Sequence, residues 1–260
     1  MNQGTKSFFE KILNDEMPYI SVIVLCYQSG DTVRLFVKQL ISSLENYDPN
    51  WEVILVANYF KESGDVAPDV VREIAANDKR IKTVTMVKKG MMGWDMKSGL
   101  EVATGQNLAV IDGDGQMPAE DALRVYKKLK EENLDLVKTY RVKRDDGLYR
   151  KCLSVIFNLV FKVLFPGLGC WDINSKPKIL RREFYEKMDL QSNDWFTDTE
   201  IMIQSREMKL KIGEIPTTFK ELSSRSSFVV ISAILEFTVN LMKYRLHAYW
   251  KLFKRNKKKK

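Results

Sequence analysis

Residues 107–121 read NLAVIDGDGQMPAED, an apolar run that ends in two aspartates one residue apart. The apolar part has the composition of a buried strand, and Asp112 and Asp114 follow where that strand ends. On an extended chain, residues two apart point to the same side, so both carboxylates face one ligand. Two carboxylates repel each other unless a cation joins them, and hard oxygen ligands suit Mg²⁺ or Mn²⁺ with a bound diphosphate. The competing interpretation is an ordinary Asp-Gly turn in solvent.

Strands and helices alternate along the chain on both sides of this stretch. Each predicted strand is a short β-branched or apolar run, and each predicted helix has apolar residues at helical spacing. Alternation of this kind predicts an α/β fold, a Rossmann-like, mostly parallel open sheet with helices on both faces. Ligands of such sheets bind beyond the carboxyl ends of the strands, which is where Asp112 and Asp114 emerge. The predicted strands are 19–27, 51–59, 81–87, 107–114 and 134–142, and the predicted helices are 31–47 (with an Asp31 cap), 67–78, 94–104 and 118–133 (with Pro118 at its start).

Composition and charge argue against several other classes of protein. The chain has 260 residues, of which 45% are hydrophobic and 29% charged, as in a folded protein with a sizeable core. The last ten residues, KLFKRNKKKK, contain seven basic groups and no acidic one, so they account for seven of the eight net positive charges. The nearly neutral remainder argues against a nucleic-acid groove, and the basic tail suggests attraction to an anionic membrane surface.

The rare residue types narrow the chemistry further. A single histidine, His247, leaves Ser-His-Asp catalysis without an obvious base and excludes a multi-histidine metal centre. The three cysteines form no C-x-x-C pair and suit a reducing compartment. Neither a G-x-G-x-x-G turn after the first strand nor a P-loop motif occurs, and the N-terminus has no pattern of a secretory signal.

Several segments, in this order, resemble family 2 glycosyltransferases, which have the GT-A fold. ISVIVLCYQS (20–29) is similar to the family's opening strand, and WEVILVANYFKESGD (51–65) to its second strand and V-D-D-G-S-x-D loop. Residues 88–118 resemble its spaced glycines, its G-L-x-x-A-x-G helix and its D-x-D-x-Q-x-P motif. The Gln-x-Pro ending and the arginine-rich segment 139–175 resemble the dolichyl-phosphate mannosyltransferase-like branch, which glycosylates polyisoprenyl phosphates. The resemblance covers residues 20–228, most of the chain.

The resemblance implies a metal-dependent, inverting glycosyltransferase that takes its sugar from a nucleotide-diphosphate sugar. Asp112 and Asp114 would hold Mg²⁺ or Mn²⁺ on the donor diphosphate, with Gln116 nearby, and the cation would neutralise charge on the departing nucleotide. The residues expected at the donor are Cys26, Tyr27, Gln28, Asn58, Gly90, Gly93, Lys97 and Gly113. The sequence departs from the family pattern at Leu25, Gln28, Ser29, Ala57 and Asn58, so the nucleotide base is left open.

The acceptor expected from this branch is a polyisoprenyl (dolichyl- or undecaprenyl-type) phosphate. Such a phosphate is anionic at pH 7, so it needs positioning and charge compensation rather than a base. Arg141, Arg144 and Arg150 follow the last predicted strand, and guanidinium groups bind phosphate bidentately, so we expect these three to clamp it. The other residues expected on the acceptor side are Ser154, Asn158, Asp172 and Arg225.

Two other functions stay open. A family 2 transferase acting on a hydroxyl of a saccharide or lipid-linked glycan would need a carboxylate base. Asp198 in WFTDTEIMIQ is the candidate for that catalytic base, although an aspartate at this point is by default a helix N-cap. The role of Glu200 is left open. A degenerate, non-catalytic membrane-associated module is disfavoured because Asp112, Asp114 and Gln116 are all retained.

Two amphipathic segments predict peripheral attachment at the cytoplasmic face of a membrane, without a confident transmembrane span. Residues 148–165 form a predicted helix with one narrow polar stripe, and residues 228–253 carry polar residues at intervals of three and four. The alternatives are a core helix for the first segment and a core helix or dimer seam for the second. The predicted organisation is a lead-in (1–18), a GT-A catalytic domain (19–227) and a C-terminal amphipathic helix with a polybasic tail (228–260).

Overall fold

Strands and helices alternate through most of the chain. The computed structural model describes residues 17–144, 148–220, 237 and 239–246, and of residues 143–144 and 148–151 it describes the backbone alone. The elements are, in order, β1 (Ile20–Leu25), α1 (Thr32–Glu45), β2 (Trp51–Val56), α2 (Ala67–Ala75), β3 (Ile81–Val84), α3 (Met92–Val102), β4 (Asn107–Asp112), α4 (Asp121–Glu131), β5 (Leu136–Arg144), α5 (Leu148–Leu164), β6 (Lys178–Arg181), α6 (Arg182–Tyr185), α7 (Thr197–Glu207) and β7 (Ile212–Phe219).

The described strands form one seven-stranded sheet in the order β3-β2-β1-β4-β6-β5-β7. All strand pairs are parallel except the two that involve β6, which runs antiparallel to β4 and to β5. The prediction of a mostly parallel open sheet is therefore confirmed. The sequence patterns indicated five strands and missed β6 and β7, of which β6 lies between β4 and β5.

The sheet has a hydrophobic layer on each face. Helices α1, α2 and α4 cover one face, and α3, α5 and α7 cover the other. The central strands are buried on both sides, and every residue of β1 and of β2 is buried. This explains why their sequences are continuous apolar runs rather than alternating patterns.

One helix start and one helix cap differ from the prediction. Helix α4 begins at Asp121 rather than at Pro118, which lies before two turn residues. Asp31 occupies the N-cap position of α1, but its carboxylate makes no cap hydrogen bond and instead accepts one from Nε of Arg34 at 2.9 Å. Neither difference moves the strands to which these helices are connected.

Helix α5 exposes one apolar side. Its residues Val155, Leu159 and Val163 are spaced by four and are 61%, 62% and 71% exposed, and Ile156 and Val160 form a second exposed row beside them. None of the described helices combines the length and the hydrophobicity that a membrane span needs. The predicted 148–165 helix is thus found, and its exposed side is apolar.

The second amphipathic segment is described only in part. Residues 237 and 239–246 are helical, with Leu241 buried while Val239, Met242 and Leu246 are exposed. Phe237 packs edge-on against Phe157 of α5. The rest of the predicted 228–253 helix, the basic tail and residues 1–16 of the predicted lead-in lie outside the described residues.

Candidate active site

The predicted acidic turn lies where the carboxyl ends of β1, β2 and β4 meet. Leu25, the last residue of β1, is in register with Val56 of β2 and with Asp112 of β4, so the three strands end together. Just beyond, the Gly113 N–H donates to the Leu25 carbonyl at 2.9 Å. A Cβ at Gly113 would lie 2.7 Å from a methyl group of Val24, so the close approach of the two chains requires glycine.

The turn after β4 presents its carboxylates in a fixed arrangement. The Gln116 N–H donates to Oδ1 of Asp114 at 3.0 Å, and Gly115 between them has φ of +78°. The Gln116 side chain donates to the Lys220 carbonyl at 3.2 Å, and the Lys220 N–H donates back to the Gln116 carbonyl at 2.9 Å. Gln116 therefore connects the acidic turn to the end of β7. The two segments are far apart in the sequence, so the motif alone does not predict this contact.

The donor set of this turn fits a divalent cation. Asp112 keeps 29% of its side chain exposed, and both aspartates offer the hard oxygen ligands that Mg²⁺ and Mn²⁺ prefer. Among the described residues, no group of three or more His, Cys, Asp or Glu side chains could hold a metal by itself. A cation at Asp112 and Asp114 would therefore share its coordination with water and with a donor phosphate, as is usual for Mg²⁺.

Asp198 lies inside the protein and is held by two lysines. Its oxygens are 3.2 Å from Nζ of Lys176 and 2.6 Å from Nζ of Lys178, and only 2% of its side chain is exposed. Burial alone would raise the pKa of Asp198, but the charges of the two lysines outweigh it and lower the pKa. The N-cap of α7 is Phe196, and Asp198 is in the first turn without a cap bond, so the interpretation as a helix cap is wrong.

The lysines that hold Asp198 were not found from the sequence. Lys176 and Lys178 are both buried, as is a third lysine, Lys138, which pairs with Glu214 of β7 at 2.6 Å rather than with Asp198. Burial lowers the pKa of Lys178 to about 8, despite the opposing effect of Asp198. The only sequence signal was the Lys-Pro-Lys run at the start of β6, because lysine is ordinarily a surface residue.

Glu200 supports the segment that precedes α7. Its side-chain oxygens accept the N–H groups of Gln191 at 2.8 Å and Ser192 at 3.0 Å, and the residue is fully buried. The Tyr244 hydroxyl also donates to Oε1 of Glu200, so Glu200 joins the segment before α7 to the described part of the second amphipathic segment.

Asn58, at the end of β2, is part of a buried polar cluster. Its amide donates to Asp95 at 3.0 Å and to Ser98 at 2.9 Å, and its oxygen accepts the Met86 N–H at 2.8 Å. Lys88 pairs with Asp95, and burial raises the pKa of Asp95 even with that partner. The hydrogen-bonding groups of the Asn58 side chain therefore all bind other groups of the protein. The sequence does not predict the roles of Asp95, Ser98 and Lys88, because none of them belongs to a recognisable motif.

Three further predicted donor residues follow β1. The Cys26 thiol is fully buried, and burial raises its pKa, so a reactive thiolate is disfavoured. The Cys26 N–H donates to the Val56 carbonyl at 2.7 Å. The Tyr27 ring lies 3.9 Å from Nζ of Lys88 and meets the Phe60 ring edge-on. The Gln28 N–H donates to Asp65 at 3.0 Å, and its own φ is +52°. The loops that follow β1 and β2 therefore contact each other through the Tyr27 and Phe60 rings and through the Gln28–Asp65 hydrogen bond.

Gly90, Gly93 and Lys97 pack against the segment before α7. A Cβ at Gly90 would lie 2.7 Å from the Asn193 carbonyl, and the Gly93 N–H donates to the Asp194 carbonyl at 2.8 Å. Nζ of Lys97 donates to the Leu190 carbonyl at 3.3 Å. Their described contacts are structural, and donor binding by these three residues stays a prediction.

Arg141, on the acceptor side, is paired with Asp172. The guanidinium donates to both oxygens of Asp172, at 2.6 and 2.5 Å, and the Arg141 N–H adds a bond at 3.1 Å. The structure thus joins two predicted acceptor residues to each other. The side chains of Arg144, Arg150 and Arg225, also predicted for the acceptor, lie outside the described part of the chain.

Asn158 connects α5 to the loop that carries Asp172. Its side-chain oxygen accepts the Ile173 N–H at 2.9 Å, and its amide donates to the Ser154 carbonyl at 2.7 Å. Lys138 donates to the Trp171 carbonyl at 2.6 Å from the other side. The structure therefore brings together, between α5 and the sheet, three of the residues predicted for the acceptor: Ser154, Asn158 and Asp172.

The Asp172–Arg141 pair predicts a pH-dependent contribution to stability. Burial would raise the pKa of Asp172, but Arg141 outweighs it and holds the pKa at about 2, below the ordinary 3.8. A lowered carboxyl pKa stabilises the fold above pH 4, and that stabilisation is lost as the pH falls toward 2. We expect a loss of roughly 2 kcal/mol in this window from this group. Asp172→Asn should show a shallower decline in the free energy of unfolding, measured with urea between pH 4 and 2, and equal slopes would contradict the prediction.

The sheet order and the acidic turn at the end of β4 agree with the GT-A fold that the sequence motifs predict. The family model "Glycosyl transferase family 2" matches residues 21–196. The chain therefore belongs to glycosyl transferase family 2, and the family, the fold and the enzyme class expected from its motifs are confirmed.

Curated relatives include undecaprenyl-phosphate 4-deoxy-4-formamido-L-arabinose transferases. The one from Pectobacterium atrosepticum is 24% identical over 149 residues, which is 57% of this chain and 44% of the relative. The one from Salmonella choleraesuis is 24% identical over 143 residues, 55% of this chain and 43% of the relative. The chain thus spans less than half the length of these relatives.

Solved structures with similar folds include glucosyl-3-phosphoglycerate synthase from Mycobacterium tuberculosis in complex with Mn²⁺, uridine-diphosphate and phosphoglyceric acid. That match has a TM-score of 0.64 at 16% identity and covers 90% of this chain and 80% of the other. A mannosyltransferase from Pyrobaculum calidifontis, in complex with GDP-Man and Mn²⁺, matches with a TM-score of 0.52 at 21% identity, covering 77% and 55%. At these identities the likeness shows the fold.

Proposed function

We propose that this protein is a metal-dependent, inverting glycosyltransferase that moves a sugar from a nucleotide-diphosphate sugar to a polyisoprenyl phosphate. The observation that carries the proposal is the acidic turn of Asp112 and Asp114 at the joint end of β1, β2 and β4. Membership of glycosyl transferase family 2 supports it, as do relatives named for transfer to undecaprenyl phosphate.

Asp112 and Asp114 would hold Mg²⁺ or Mn²⁺ against the donor diphosphate, and Gln116 would keep the turn in place. The bound cation supplies Lewis-acid stabilisation of the departing nucleoside diphosphate. Tyr27 and Phe60 at the ends of β1 and β2 would flank the nucleotide, and Gly113 lets the backbone approach it. Donor contacts of Cys26 and Gln28 stay predictions, because the backbone N–H of each already donates within the protein, to the Val56 carbonyl and to Asp65.

The buried position of Asp198 favours a phosphate acceptor over a hydroxyl acceptor. A general base must come within hydrogen-bond reach of the proton that it removes. Asp198 has 2% of its side chain exposed and both oxygens bound to lysines, so it is poorly placed for that role. A lipid phosphate needs no base, because it is already anionic at neutral pH.

The exposed apolar side of α5 supports attachment at the membrane that holds such a lipid. We propose peripheral binding at the cytoplasmic face, with α5 lying in the interface and the basic tail drawn to anionic headgroups. The polar residues Ser154 and Asn158 of α5 lie beside the Asp172–Arg141 pair. The lipid phosphate would be received there, with Arg144, Arg150 and Arg225 as the further cationic groups.

The test is release of nucleoside diphosphate from a panel of nucleotide sugars with a short polyprenyl phosphate. We expect release that requires both Mn²⁺ or Mg²⁺ and the lipid phosphate, and no release with the corresponding polyprenol. Equal rates with the alcohol and the phosphate would favour the hydroxyl-acceptor alternative. Binding to the lipid without turnover of any donor would indicate the non-catalytic alternative.

A further inference from the structure

Lys176 connects the candidate metal site to the protein interior. Its Nζ lies 3.2 Å from Oδ2 of Asp112 and 3.2 Å from Oδ2 of Asp198, with 8% of its side chain exposed. The positively charged side chain of Lys176 thus lies beside Asp112, one of the two aspartates of the acidic turn. This ion pair uses Oδ2 of Asp112 and does not involve Oδ1.

The sheet explains how Lys176 reaches this position. Because β6 is antiparallel to β4, with Lys178 in register with Val110, the residues just before β6 run alongside the end of β4. The backbone there is fixed by β5, since Thr139 donates through its hydroxyl to the Lys176 carbonyl at 2.5 Å and through its N–H to the Pro177 carbonyl at 3.1 Å. Lys176 is therefore held both at its backbone, by Thr139, and at its ammonium group, by the two aspartates.

We propose that Lys176 is a positioning residue that sets how Asp112 binds a divalent cation. The ammonium, anchored by Asp198, holds Oδ2 of Asp112 and leaves Oδ1 for the cation, so that Asp112 binds through one oxygen. This inference rests on the metal site of the proposed function, and it gives Asp198 the role of anchoring Lys176.

The arrangement limits the affinity for the cation. Asp112, Asp198, Lys176 and Lys178 form a cluster of two negative and two positive charges. A divalent cation at Asp112 would be repelled by the ammonium bound to the same carboxylate, and repulsion between close charges is strong where water is largely excluded. Loss of the Lys176 charge should therefore tighten metal binding and free the second oxygen of Asp112.

The experiment is titration of the protein with Mn²⁺, followed by electron paramagnetic resonance of the free ion, without donor or acceptor. We expect Lys176→Met to lower the Kd for Mn²⁺ at least about tenfold, which corresponds to about 1.4 kcal/mol. The matched control is Lys178→Met, which also removes one buried positive charge next to Asp198 but contacts no atom of Asp112. We expect it to change the Kd by no more than about twofold, since repulsion weakens with distance.

A second variant guards against misfolding. Lys176→Gln keeps a polar group between Asp112 and Asp198 while removing the charge, and it should shift the Kd in the same direction as Lys176→Met. Unchanged or weaker Mn²⁺ binding by the folded Lys176 variants would overturn the inference and leave the proposed function standing. Equal Mn²⁺ binding by wild type and Asp112→Asn would overturn the metal site itself, and the inference with it.

Discussion

Asp114→Asn is expected to lower the turnover number about a thousandfold, the largest effect that we predict for a single substitution. The change removes one charge from the pair that would hold the cation, and loss of transition-state stabilisation of about 4 kcal/mol corresponds to this factor. Asparagine keeps the Oδ1 atom that accepts the Gln116 N–H, so the turn itself should be preserved. The measurement is the release of nucleoside diphosphate under saturating Mn²⁺ and polyprenyl phosphate.

A control substitution makes the same chemical change away from the site. Glu132 follows the last turn of α4, at the end of that helix away from the acidic turn, and its side chain is 54% exposed beside Lys128. Glu132→Gln should leave turnover within about twofold, because exposed ion pairs contribute little. If Asp114→Asn were as active as Glu132→Gln, the proposed metal role of the acidic turn would be wrong.

Membrane attachment should fall sharply when the exposed apolar side of α5 is made acidic. Leu159→Glu should weaken binding to anionic vesicles at least about tenfold, and addition of Val163→Glu should bring the loss to about a hundredfold. Each change removes apolar area worth on the order of 1.5–3 kcal/mol when buried and adds a charge that anionic lipid repels. Vesicle sedimentation over a range of lipid concentrations measures the affinity.

Leu35 provides the matched control for this surface. It is 63% exposed, nearly the same as Leu159, but it lies on α1, on the opposite face of the sheet. Leu35→Glu should leave vesicle binding within about twofold. Equal losses from Leu35→Glu and Leu159→Glu would assign the effect to net charge and reject α5 as the membrane-facing surface.

The sequence allowed prediction of the parts of the fold that repeat a local pattern. Strands β1 to β5 and their connecting helices are continuous apolar or periodic runs, and the ends of β1, β2 and β4 followed from the general rule for parallel sheets. Strand β6 has four residues and includes Lys178 and Arg181, so its composition does not indicate a central strand. Its burial arises from pairing with β4 and β5, which no local pattern contains.

The polar residues of the site also fall into two groups, those that a local motif predicts and those that only contacts between distant segments bring together. Asp112, Asp114 and Gln116 lie in one short motif, so spacing alone brought them together. The sequence neighbours of Asp198 suggest a helix start and so a cap or a base, whereas in the fold it contacts Lys176, just before β6, and Lys178, the first residue of β6. The Arg141–Asp172 pair likewise joins β5 to a distant loop. Contacts between remote segments decide which charged groups stay available to a ligand.

The antiparallel insertion of β6 has a consequence for the order of folding. Until β6 has been synthesised, β4 has one unpaired edge. The chain between β4 and β6 includes α5 with its exposed apolar side. An open strand edge is a template for pairing with another chain. A nascent or truncated polypeptide that ends before Lys178 would therefore expose that edge and α5 together, and self-association at this stage competes with completion of the sheet.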